Sequence, residues 1–94
     1  MTDATAEIAI LLILGAARRV VEGIQYAKNK NWRWSADFLL GKQLSGSRLG
    51  ILGMGRIGRA VASRAKAFGM EIHYHNRSKL NSTLEMGATY HEDI

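Results

Sequence analysis

Hydrophobic residues are densest near the start of the chain, where they predict one long helix. Residues 8 to 17 carry no polar side chain, which indicates a helix buried on every side. Beyond them the apolar positions narrow to one face at helical spacing. We expect a single helix over residues 3 to 28, capped at its start by Thr2 or Asp3. So apolar a helix needs a partner surface larger than the rest of the chain offers.

Residues 29 to 47 show no clear period and contain the loop-forming residues Asn, Gly and Ser. The aromatic residues Trp32, Trp34 and Phe38 lie within this loop. Such side chains either pack on their own chain or face a subunit interface. We therefore treat residues 1–47 as a long helix and aromatic loop that lead into the next unit, and as a candidate dimer arm.

The hydrophobic pattern of residues 48–94 predicts a strand, a helix and a second strand. The strands cover residues 48 to 52 and 70 to 75, with Ile72 and Tyr74 on one side of the second. The helix covers residues 56 to 68 and ends at Gly69; its apolar face holds Ile57, Val61, Ala65 and Phe68. A short helix within residues 78 to 86 and a third strand at 88 to 90 follow. This order indicates an α/β fold: an incomplete Rossmann-type, doubly wound parallel sheet preceded by a long helix.

Charge and composition exclude several kinds of partner. The net charge is +5, but the basic residues are scattered along the chain, so we expect no nucleic-acid binding. The apolar stretch at residues 8 to 17 is half of the about 20 residues that a membrane span needs, and acidic residues precede it. We expect no membrane partner, no export signal and a cytoplasmic location. The chain has no cysteine, and His73 and His75 lack a third ligand, so no metal site is expected.

A glycine motif lies between the first strand and its helix. Residues 53 to 58 read Gly53-Met54-Gly55-Arg56-Ile57-Gly58, the pattern G-x-G-x-x-G. In a strand–helix–strand context this pattern predicts a dinucleotide site, with Gly53 in the tight turn, Gly55 beside the pyrophosphate and Gly58 against the strand. Amides near Arg56 and Ile57 would face the anion. The alternative is a glycine turn without a ligand.

The end of the second strand predicts which dinucleotide is bound. NAD sites usually place a carboxylate there to hold the ribose hydroxyls. This chain has Asn76, Arg77 and Ser78 instead, and Glu71 lies too early, at the strand's start. Arg77 can pair with a 2′-phosphate and Ser78 can donate a hydrogen bond to it. We predict NADP as the preferred cofactor, with NAD as the second choice; the alternative is that Arg77 is a solvated surface charge.

The combined motifs resemble those of the D-isomer-specific 2-hydroxyacid dehydrogenases. The resemblance is carried by LGILGMGRIGRAVA at 49–62 and AKAFGM at 65–70, and the continuation YHNR at 74–77 looks most like the glyoxylate/hydroxypyruvate reductase branch. TDATAE at 2–7, running into AARR at 16–19, is similar to the helix that leads into the family's cofactor domain. Residues 32 to 41 resemble the loop before the first strand of that domain.

The resemblance implies an oxidoreductase that reduces a 2-keto acid to a D-2-hydroxy acid with a nicotinamide cofactor. It implies pyrophosphate contacts by residues 54 to 57, ribose and phosphate contacts by residues 76 to 78, and a cofactor contact by Thr5, whose alternative role is local to the helix start. It also implies a homodimer. None of the three histidines matches the family's catalytic histidine, and no catalytic residue is carried over. We expect the chain alone to be inactive. The alternatives are a non-catalytic dinucleotide-binding module that needs another chain, and a basic interaction protein.

Overall fold

The computed structural model describes residues 1–28 and 41–94. These residues form four helices and three strands within the described ranges. In chain order they are α1 (Thr2–Ala17), α2 (Val20–Lys28), β1 (Arg48–Leu52), α3 (Arg56–Ala67), β2 (Glu71–His75), α4 (Ser82–Glu85) and β3 (Thr89–Tyr90). The predicted packing of Trp32, Trp34 and Phe38 lies outside the described residues.

The single helix predicted over residues 3 to 28 is wrong, because the chain breaks it at Arg18 and Arg19. Arg19 has a φ of 56°, in the left-handed region that ends a helix. The carbonyl of Ala17 accepts a hydrogen bond from the amide of Lys42 at 2.8 Å. A Cβ on Gly41 would overlap that same carbonyl oxygen. A segment distant in sequence therefore crosses the chain at this point, which local helix propensity cannot reveal.

The start of α1 also differs from the prediction. Met1 occupies the N-cap position, and no side chain caps the helix. The carboxylate of Asp3 instead lies 3.3 Å from the Arg64 guanidinium on α3. Asp3 thus links two helices rather than capping one.

The predicted burial of α1 on every side is wrong within the described residues. Ala6 is fully buried and Ile10 packs against the core, because this side of α1 faces α3. The opposite side leaves Ile8, Leu11 and Leu12 more than half exposed. No helix in residues 1–28 and 41–94 is long and apolar enough to cross a membrane. The apolar run of α1 has one buried face and one open face.

The three strands form a parallel sheet in the order β1-β2-β3. The β1–β2 register runs from Arg48 opposite Glu71 to Leu52 opposite His75. Helix α3 connects these two strands, so the predicted strand–helix–strand unit is confirmed. The carboxyl ends of β1 and β2 therefore meet at one edge of the sheet, beside the start of α3.

The core lies between α3 and one face of the sheet. It contains Met54, Ala62, Ala65, Met70, Ile72 and Tyr74. The predicted side for Ile72 and Tyr74 is confirmed, but Ile57 and Phe68 are 44% and 43% exposed. The predicted burial of Ala65 is confirmed. Ala62 is buried in place of the larger side chains, because small side chains let the helix lie close to the strands. The glycine predicted to end α3, Gly69, follows it with a φ of 80°.

Candidate dinucleotide-binding site

The glycine turn joins the end of β1 to the start of α3. Gly53 has a φ of 94°, which favours glycine, and Gly55 is the N-cap of α3 in extended conformation. No side chain caps α3 at this end. The first intrahelical bond runs from the Arg59 amide to the Gly55 carbonyl at 2.9 Å. The amides of the first turn are thus left for an external acceptor, and the helix dipole favours an anion there.

Two glycines of the motif face different surroundings. A Cβ on Gly58 would overlap the Gly53 carbonyl oxygen and lie 3.2 Å from the Ile51 side chain. A Cβ on Gly55 would meet nothing within 4 Å. Gly58 is therefore required by packing between helix and strand, whereas Gly55 keeps open a space that a Cβ would enter. The open space beside uncapped amides fits a pyrophosphate group.

A cavity opens beside this turn. It is lined by Thr2, Gly53, Gly55, Arg56, Ile57 and Gly58. The sequence predicts Thr2 only as a possible helix cap, and no local signal indicates its place in the cavity. Thr5, the threonine implied by the family resemblance, is exposed and is not among the lining residues. Helix α1 thus reaches the turn with its first residue.

Two hydrogen bonds join the turn to the carboxyl end of β2. The Gly53 amide donates to the His75 carbonyl at 3.0 Å, which continues the strand pairing beyond β1. The Met54 amide donates to the Asn76 side-chain oxygen at 2.6 Å. The Met54 side chain is fully buried in the core. The structure therefore brings together Asn76 and the glycine motif, which are separate in the sequence.

Arg77 and Ser78 follow directly after this contact and are exposed. Glu71 lies at the opposite end of β2, paired in register with Arg48. No salt bridge engages Arg77 within residues 1–28 and 41–94. A cationic side chain is thus available at the strand end where a ribose would lie in a site of this type.

A polar network fixes the path of the loop that follows β2. The Tyr74 hydroxyl donates to the nearly buried Glu85 carboxylate and accepts from the Leu80 amide at 3.1 Å. Lys79 lies 3.1 Å from the same carboxylate. The hydrogen bond from Tyr74 lowers the pKa of Glu85 against the opposing effect of burial, and Lys79 lowers it further. Burial, followed by the bond to Glu85, raises the pKa of Tyr74.

The histidines lie on the other face of the sheet. His73 Nδ1 is 2.8 Å from His91 Nε2, and His75 Nδ1 is 2.8 Å from the His91 carbonyl oxygen. In the described part of the chain, no group of three or more His, Cys, Asp or Glu side chains is placed to hold a metal ion. These contacts tie the segment after β3 to β2.

Comparison with known proteins relates the chain to one dehydrogenase family. Residues 10–93 match the family model for the NAD binding domain of D-isomer specific 2-hydroxyacid dehydrogenases. The chain is 50% identical to a glyoxylate reductase of Aeropyrum pernix, across 96% of this chain and 29% of the relative. It is 48% identical to 4-methyl-2-oxopentanoate reductase A of Aspergillus oryzae, across 96% of this chain and 27% of that protein.

A solved structure shows the same architecture. D-lactate dehydrogenase from Aquifex aeolicus, complexed with NAD and lactic acid, superposes with a TM-score of 0.87 at 28% identity. The match covers 98% of this chain and 27% of that enzyme. The chain therefore spans less than a third of the length of the proteins it matches.

Proposed function

Because the chain belongs to the D-isomer-specific 2-hydroxyacid dehydrogenase family through its NAD-binding domain, we propose that it is the dinucleotide-binding part of a keto-acid reductase. The proposed reaction reduces a 2-keto acid of the glyoxylate or hydroxypyruvate type to the D-2-hydroxy acid. The bound dinucleotide supplies the hydride. The observation that carries the proposal is the open, uncapped glycine turn between β1 and α3.

The residues of the turn bind and orient the cofactor in this proposal. The pyrophosphate lies in the cavity beside Gly55, where amides at the start of α3 donate to it. Gly55, Arg56 and Ile57 line this cavity. The pyrophosphate contact that the family resemblance implies for Met54 stays a prediction, since its amide is bonded to Asn76. A contact from Thr5 stays a prediction, since Thr2 is the threonine that lines the cavity.

We propose NADP as the preferred cofactor because of the residues that follow β2. Arg77 is exposed without a carboxylate partner in the described residues, so it is available to pair with a 2′-phosphate. Ser78 adds a hydroxyl donor. Glu71, which would repel that phosphate, lies at the far end of the strand.

The first test compares cofactor binding by the wild-type chain and by Arg77→Ala. We expect NADPH to raise the melting temperature more than NADH does in the wild type. Arg77→Ala should weaken NADPH binding about tenfold or more, since a hydrogen bond to a charged group is worth roughly 1.5–3 kcal/mol. NADH binding should change little. Isothermal titration calorimetry measures both affinities.

The matched control for Arg77→Ala is Arg48→Ala. It removes the same charge from an exposed residue at the opposite end of the sheet, so both affinities should stay unchanged. Equal affinity of the wild type for NADPH and NADH would contradict the NADP assignment. If the wild type binds neither NADPH nor NADH, the proposal of a dinucleotide site is contradicted.

The chain alone is proposed to supply cofactor binding without turnover. The candidate site contains amides, glycines and cationic groups that hold phosphate, but no residue matching the family's catalytic positions. We expect no glyoxylate-dependent oxidation of NADPH by the purified chain above background. A measurable rate would overturn this division of roles and would place a proton donor within these residues.

We further propose that the open face of α1 and α2 contacts a second subunit, as in the dimers that the family resemblance implies. Apolar side chains continue from α1 onto α2 and remain exposed. They are Ile8, Leu11, Leu12, Val20, Val21 and Ile24. Exposed apolar side chains grouped on neighbouring helices are typical of a subunit contact.

A further inference from the structure

We propose that Asn76 is a positioning residue that holds the phosphate-binding turn in place through the backbone of Met54. The inference rests on the proposed function for its biological meaning, since it concerns the same cofactor site. In this role the side-chain oxygen of Asn76 binds the protein and does not bind the ribose. The neutral amide then has a second effect, on the choice between the two dinucleotides.

The contact between Asn76 and Met54 determines the orientation of the side-chain amide. The Met54 amide is a donor, so only Oδ1 of Asn76 can accept from it, at 2.6 Å. The Nδ2 group must then point away from Met54. Within residues 1–28 and 41–94, the structure records no hydrogen bond from Nδ2. Asn76 thus presents a donor, and no charge, to whatever lies beside the turn.

Both ends of this contact are held by the surrounding structure. The backbone carbonyl of Asn76 accepts from the Tyr90 hydroxyl at 3.1 Å. The preceding residue, His75, accepts from the Gly53 amide at 3.0 Å. On the other side, the fully buried Met54 side chain anchors the turn in the core. Two consecutive residues of the strand end therefore hold two consecutive residues of the turn.

The geometry has a consequence for the anion. Because its amide is already bonded, Met54 does not offer that N–H to the pyrophosphate, which is left to the amides at the start of α3. An aspartate at position 76 could accept the same bond. It would also place a negative charge beside the turn and next to Arg77, where it would repel a 2′-phosphate. An asparagine holds the turn without that repulsion.

The test uses Asn76→Ala and Asn76→Asp in the full chain. Hydrogen exchange of the Met54 amide, followed by nuclear magnetic resonance, reports the contact, and titrations give the NADPH and NADH affinities. Asn76→Ala should speed exchange of the Met54 amide and lower the affinity for both cofactors about tenfold. Asn76→Asp should keep the slow exchange of that amide and an NADH affinity within a few-fold of the wild type. The same variant should lower the NADPH affinity at least tenfold.

Asn81→Ala is the matched control. The Asn81 side chain also accepts from a backbone amide, that of Leu84 at 2.9 Å, but at the start of α4. Asn81→Ala should leave both cofactor affinities and Met54 exchange unchanged. If Asn76→Ala leaves Met54 exchange unchanged, the positioning role is overturned. If the wild type binds neither cofactor, the proposed function fails, while Met54 exchange in both Asn76 variants still decides the positioning role.

Discussion

At the scale of single residues, the glycines at positions 55 and 58 serve different purposes. The spacing of the motif predicts both from the sequence, because a tight turn and a close helix contact each exclude side chains. The bond between Met54 and Asn76 could not be predicted in this way. Its partners are 22 residues apart, and the pairing depends on the register of two strands.

A pair of alanine substitutions separates the two glycine roles. Gly58→Ala should destabilise the chain by roughly 1–3 kcal/mol, since the new Cβ overlaps a backbone carbonyl that cannot move freely. Gly55→Ala should leave the melting temperature nearly unchanged, because its Cβ meets nothing within 4 Å. The same substitution should abolish the cofactor-induced rise in melting temperature. Thermal melts with and without NADPH measure both effects.

The reverse pattern would contradict this assignment. A Gly55→Ala chain that binds NADPH normally would show that the open space is not where the pyrophosphate lies. A Gly58→Ala chain with wild-type stability would show that α3 can move away from the turn at little cost.

At the scale of elements, the strands and α3 were predictable because each buries one face, and the spacing of apolar residues in the sequence marks that face. The break between α1 and α2 was not, because a crossing segment at Gly41 and Lys42 causes it. The buried face of α3 was only partly predictable. The pattern predicts Ala65 correctly, but close packing against the sheet also buries Ala62 and leaves Ile57 and Phe68 partly exposed.

The Tyr74–Glu85 pair predicts how stability depends on pH. The pKa of Glu85 is lowered below its ordinary value of 4.5, so its stabilising effect is present above that pH and is lost as the pH falls. The pKa of Tyr74 is raised above 10.0, so its effect is present below that pH and is lost as the pH rises. The melting temperature should therefore fall both at acidic pH and at alkaline pH. Glu85→Gln should remove part of the acid-side decline, and Glu92→Gln, which changes an exposed carboxylate, should not.

Removing the hydroxyl of Tyr74 tests the same network at neutral pH. Tyr74→Phe removes the hydroxyl that accepts from the Leu80 amide and donates to the Glu85 carboxylate, so each group loses one hydrogen bond. We expect a loss of about 1–2 kcal/mol in the free energy of unfolding. Chemical denaturation measures it. An unchanged value would mean that water replaces the hydroxyl without cost.

At the scale of the whole molecule, the described chain buries one side of a three-stranded sheet and leaves much of α1 open. The apolar composition of α1 predicts that this helix needs a further partner surface, and that need stays a prediction. It could not indicate which side faces α3, because residues 8 to 17 are apolar all round and the pattern has no polar side to mark solvent.

The open face of α1 and α2 predicts self-association. The chain should form dimers as its concentration rises, and Leu12→Glu should shift it towards the monomer by placing a charge on a residue that is 66% exposed. Leu84→Glu adds the same charge on an exposed leucine of α4 and should leave the association unchanged. Sedimentation velocity over a range of concentrations measures this. Monomers throughout, or equal behaviour of the two variants, would contradict the proposed subunit contact.

The closeness in sequence of the two halves of the cofactor site also bears on the order in which the molecule folds. Met54 and Asn76 are joined by closing a loop of only 22 residues, whereas Arg64 and Asp3, which link α3 to α1, are 61 residues apart. Short loops close at a lower entropic cost, and local contacts form faster. During synthesis, the phosphate-binding turn can therefore form as soon as β2 and Asn76 have left the ribosome. Helix α1 is synthesised earlier, but it can pack only after α3 has formed.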